Sequence, residues 1–120
     1  MGMDLFGHGG LSINWLGWEH CLDVAMAFGW KPEGTAPPPA RFSPHGRIID
    51  DWDGTYFGND FQEVTETDAK QLSKALYRAI ETVEHGHKLT PEQQAVVNLD
   101  SVVLWKKLAK YAGSGNFLVG

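Results

Sequence analysis

Apolar residues recur at helical spacing in three stretches, and each stretch carries its own start and stop signals. Over 15–28, Trp18, Cys21, Leu22, Ala25 and Met26 share one face and are predicted to point at the core, with Glu19, His20 and Asp23 on the other side. Asn14 stands where an N-cap belongs and Gly29 where the chain leaves the helix. Over 67–84 the stripe is Ala69, Leu72, Leu76, Ala79, Ile80 and Val83. Thr65 and Asp68 have capping-box spacing before it, although Asp is shorter than the usual Glu or Gln, and Gly86 fits the exit. The third helix is predicted over 91–112. Thr90 caps it, Pro91 takes its first position, Gln93 completes the box and Gly113 stops it, with a break weighed near Asn98–Ser101.

Strand signals are shorter. "MDLF" reads as a strand ending at "GHGG", "RIID" as a brief strand, and "NFLV" as a last one. "GTYFGNDFQEV" reads as two extended pieces around a turn at Gly58, Asn59 and Asp60. The sum is an α+β fold with three main helices and a small sheet or hairpin, a single compact domain over 1–120. The stretch from Lys31 to Gly46 holds five of the six prolines, which bars helix and central strand there. A loop of that length is uncommon in a compact domain and points to function or mobility.

Composition sharpens the picture in three places. Hydrophobic residues at 42% and aromatics at 12%, five of them Trp, support a real core without staples. The single cysteine, Cys21, excludes an intramolecular disulfide and makes cytoplasm the expected compartment, and "MGMDLFGHGG" does not read as a signal peptide. The net charge of −5 is unevenly spread: Asp50–Asp68 has seven acids and no base, whereas Leu104–Gly120 has Lys106, Lys107 and Lys110 and no acid. Such a chain lacks the clustered cations that nucleic acid requires, and no apolar run is long enough to span a membrane, so neither partner is expected.

Candidate chemistry concentrates in "DDWDGTYFGND", residues 50–60. As a calcium loop it places Asp51 and Asp53 at ligand positions around Gly54, with Asp60 last, but Ile49 at the first position offers no oxygen. As an aromatic platform it offers Trp52, Tyr56, Phe57 and Phe61 beside polar forks, yet Tyr56 and Phe57 would point to opposite faces of a strand. The reading adopted is a hairpin whose rings pack on the helices, with Asn59 and Asp60 forming the turn. His85 and His87 have a chelating spacing without a third ligand, and Cys21 with His20 projects in divergent directions on a helix. No metal, no cofactor and no catalytic residue is expected.

The segments "MGMDLFG", "NWLGW", "GWKPEGT", "WDGTYFGND" and "VTETDAKQLSKAL" together resemble a group of small bacterial proteins, over most of the chain. That resemblance implies a bacterial or phage cytoplasmic protein and brings no catalytic residue with it. The group carries Gly after the Asn-Asp pair, where this chain has Phe61.

Two classes of function stay open. One is a small acidic binding or interaction module, an immunity-type or inhibitor protein being one version, directed at a basic protein surface. The other is a small enzyme using Asp53, Asn59, Asp60 and His45 for acid–base work. The missing catalytic motifs favour the first. Its surface is expected around Trp30, His45, Trp52, Asp53, Asn59 and Asp60, where the Pro-rich loop meets the acidic turn.

Overall fold

The computed structural model describes residues 2–42 and 51–120. Strands β1 (Gly2–Phe6) and β2 (Gly10–Asn14) lead into helix α1 (Trp15–Ala27). A 3₁₀ turn at Ala40–Phe42 precedes strand β3 (Gln62–Val64), helix α2 (Glu66–Glu84) and helix α3 (Pro91–Val96). A second 3₁₀ turn at Leu99–Ser101, helix α4 (Val102–Ala112) and strand β4 (Phe117–Val119) complete the chain. The strands form one antiparallel sheet in the order β2-β1-β4-β3, so the architecture is α+β.

Alternation along the strands explains how the sheet meets the helices. Met3, Leu5, Ile13, Val64, Phe117 and Val119 turn inward and are buried. They pack in one cluster with Trp18, Cys21 and Leu22 of α1, Leu72, Leu76 and Ile80 of α2, and Trp105 and Leu108 of α4. "NFLV" thus supplies a strand of the sheet interior, with β1 on one side and β3 on the other.

The three N-caps hold. Asn14 accepts from the backbone N–H of Gly17. Thr65 accepts from Asp68, and Thr90 and Gln93 form a reciprocal capping box. Four differences have physical causes. Met26 is 41% exposed. The buried arc of α1 is centred near Cys21 and takes in Val24 and Phe28, so Met26, about 100° round from Ala25, falls past its edge. The predicted 91–112 helix is two helices, because Val97 and Asn98 are extended and the Asn98 side chain accepts from Asp100 N–H to start the 3₁₀ turn. "GLSIN" is a strand, pairing Met3 with Ile13 and Leu5 with Leu11 across a glycine-rich turn. The expected hairpin around Gly58–Asp60 does not form. Of that stretch only Gln62–Val64 is strand, and its partner is β4. "RIID", residues 47–50, lies outside the described residues.

The Pro-rich segment is anchored to the sheet edge. Ala36 and Glu63 exchange backbone hydrogen bonds of 2.8 and 2.9 Å. Pro37, Pro38 and Pro39 follow, and their missing N–H groups end the ladder there.

Candidate functional site

The segment 30–36 and the acidic stretch meet the start of α2 in a buried polar knot. Its centre is the Asp68 carboxylate, 1% exposed in the first turn of α2. The Tyr56 hydroxyl donates to it, and the Glu33 N–H donates from 3.3 Å. The helix N-terminus adds favourable dipole at the same place. Tyr56 in turn accepts from Gly34 N–H at 2.9 Å. Burial and the neighbouring carboxylate push the Tyr56 phenol well above its ordinary range, which keeps it a neutral donor.

Two indoles brace this centre. Trp18 Nε1–H donates to the Tyr56 carbonyl at 2.7 Å, and Trp30 Nε1–H to the Asp68 carbonyl at 3.2 Å. The Trp30 and Tyr56 rings meet edge to face, 5.3 Å between centroids. Thr35 ties the two segments directly. Its hydroxyl donates to the Thr55 carbonyl at 2.6 Å and accepts from Trp52 Nε1–H at 3.0 Å. Gly34 and Gly54 pass each other closely, so a Cβ on Gly54 would lie 3.3 Å from Gly34 Cα, and both have positive φ. Only glycine suits such a crossing.

Beyond the knot the chain forms an exposed but stapled loop. Asp53 Oδ1 accepts from Thr55 N–H at 3.1 Å, and Thr55 Oγ1 accepts from Phe57 N–H at 3.1 Å. Gln62, 0% exposed, accepts from Asp60 N–H at 3.0 Å and donates to the Gly58 carbonyl. Phe57 is 40% exposed and leans on Trp15, 5.9 Å between rings. Phe61 holds a left-handed backbone, φ 65°, the single non-glycine case among the described residues. Its ring stacks on Phe42 at 4.6 Å and meets Phe6 at 5.8 Å.

The residues singled out from sequence therefore part company. Asp53, Asn59 and Asp60 are exposed on the stapled loop, and Trp52 is half-buried at its base. Trp30 is 3% exposed and serves the core, so it offers no ring to a partner. His45 and Ile49 lie outside the described residues. Sequence reasoning passed over Asp68, Gln62 and Thr35. The departure from the usual capping box at Asp68 was the available signal, since a carboxylate too short to reach back to the Thr65 N–H is free for Tyr56.

The remaining candidates have structural partners. Trp105 Nε1–H donates to His20 Nε2 at 3.0 Å. Burial lowers the His20 pKa below the ordinary imidazole range, and Asp23 opposes that shift. Burial pushes the Cys21 thiol up to about 12, which suits an inert core residue. His85 and His87 stack on each other at 5.9 Å in the open. Among the described residues no group of three His, Cys, Asp or Glu side chains comes together as a metal set, and no helix is long and apolar enough to cross a membrane. No family model, curated protein or solved structure matches the chain.

Proposed function

We propose that this chain is a small acidic interaction module that presents the 53–62 loop, ready formed, to a basic protein surface. The observation that carries the reading is the buried Gln62 side chain, which fixes Gly58 and Asp60 while leaving Asp53, Asn59 and Asp60 in solvent. A loop ordered before binding loses little entropy on binding. Its carboxylates give a local negative field that steers a cationic partner, and Phe57 on Trp15 provides an apolar anchor beside them. Masking the basic surface of an enzyme, as an inhibitor or immunity-type protein does, is the role this face fits best. A cytoplasmic setting agrees with a lone, buried Cys21. The test is capture of partners from the native host with wild-type protein and with Asp53→Lys/Asp60→Lys. The reading expects a basic partner retained by the first and lost by the second. A partner held equally by both would place the interface elsewhere.

A further inference from the structure

Against the overall charge of −5, one cavity of about 290 Å³ is cationic. Lys107 and Lys110 of α4 line it with His8, Leu11, Tyr111 and Ser114, and no carboxylate is among its lining residues. Neither of the two lysines is neutralised by a neighbouring carboxylate among the described residues, whereas Lys106 is paired with Glu84 at 2.8 Å and Lys70 with Glu66 at 3.6 Å. The wall opposite them is fixed. His8 packs on Tyr111 with 4.3 Å between ring centroids, and its Nε2 lies 3.4 Å from the Gly115 carbonyl. The Tyr111 hydroxyl donates to the Gly9 carbonyl at 3.2 Å, which pins the β1–β2 turn against α4.

We infer that the Lys107–Lys110–His8 cavity is a binding site for a small organic anion, one carrying a phosphate or carboxylate group. The two ammonium groups are point charges with rotatable donors, suited to either anion. The Ser114 hydroxyl is a further donor, and Leu11 with the Tyr111 ring offers an apolar wall for the body of the ligand. A volume of about 290 Å³ has room for the charged group and a small body attached to it. This site is separate from the acidic loop and stands whether or not that loop binds a protein.

Titrations with pyrophosphate and with citrate, followed by amide and imidazole NMR shifts at matched ionic strength, test the inference. The expected result is a saturable shift at His8, Gly10, Lys110 and Ser114 with at least one of the two probes. Saturation by pyrophosphate alone assigns phosphate chemistry, and by citrate alone assigns carboxylate chemistry. Lys107→Gln/Lys110→Gln should weaken the effect by about tenfold or more, while Lys106→Gln leaves it in place. Both lysines are exposed, and an unchanged spectrum elsewhere shows that the variant is folded. Shifts that stay linear in probe concentration, or that survive in the double variant, overturn the site.

Discussion

The indole N–H of Trp105 reaches from α4 to Nε2 of His20 on α1, 3.0 Å away. Because the indole can only donate, that nitrogen must be the unprotonated one, and the imidazole proton sits on Nδ1. Protonation would set two donors against each other beside a buried indole. Burial already disfavours the cation, and the nearby Asp23 only partly compensates.

A pH dependence follows. The folded His20 pKa lies below the unfolded value of about 6.5, so the unfolded chain takes up the proton first. The His20 contribution to stability is complete above that value and declines as pH falls through it toward the folded pKa. Urea unfolding at pH 8 and pH 5 should show the loss, and His20→Gln, which can still accept from Trp105, should reduce it. An imidazole titration of His20 with a midpoint above 6.5 would contradict the argument.

Tyr56→Phe should be costly for a change of one oxygen. It removes a donor from the buried Asp68 carboxylate and an acceptor from Gly34 N–H. A loss of about 3 kcal/mol is expected in chemical denaturation, since an unsatisfied buried charge costs more than a neutral hydrogen bond is worth. Tyr56→Phe with Asp68→Leu should cost less than the sum of the two single changes, because the orphaned carboxylate is gone. Additive losses would mean that water already reaches Asp68.

These residues mark the limit of what sequence could disclose. Caps at Asn14 and Thr90 and the stripe from Ala69 to Ile80 are local, and their signals sit within a turn or two of the structure they specify. The knot is not local. Trp18 meets Tyr56 and Trp30 meets Asp68, each across 38 positions, so no spacing rule pairs them. Trp30 looked like an interface aromatic because composition cannot tell an indole with a buried carbonyl partner from one in solvent. "GLSIN" escaped notice for a different reason: five residues, the first of them Gly10, after a turn that holds Gly7 and Gly9, give too short an alternation to stand against the helix that follows.

Phe61 offers a reversal of ordinary propensity. At φ 65° a bulky side chain is strained, and glycine is not. Phe61→Ala keeps that strain and loses the contacts with Phe42 and Phe6, whereas Phe61→Gly loses the contacts and relieves the strain. Glycine should therefore be the more stable replacement by about 1 kcal/mol. Thermal or urea unfolding of the two variants decides it. Alanine equal to or better than glycine would show that residue 61 is not left-handed in solution.

Gln62 separates order from charge in the acidic loop. Gln62→Met keeps most of the buried volume but removes both hydrogen bonds, to Asp60 N–H and the Gly58 carbonyl. Those backbone groups are close enough to solvent to be rehydrated, so the fold should survive while the loop loosens. Hydrogen exchange at the Asp60 amide should then speed up by roughly 10-fold, the equivalent of one modest hydrogen bond. Every carboxylate remains, so a basic partner should still be steered to the loop at nearly the wild-type association rate, with the same slowing as salt rises. The cost of ordering the loop moves into the complex instead, and dissociation should quicken. Asp53→Lys/Asp60→Lys should do the opposite, slowing association and flattening its salt dependence. Identical kinetics for the two variants would mean that preorganisation of this loop has no part in recognition.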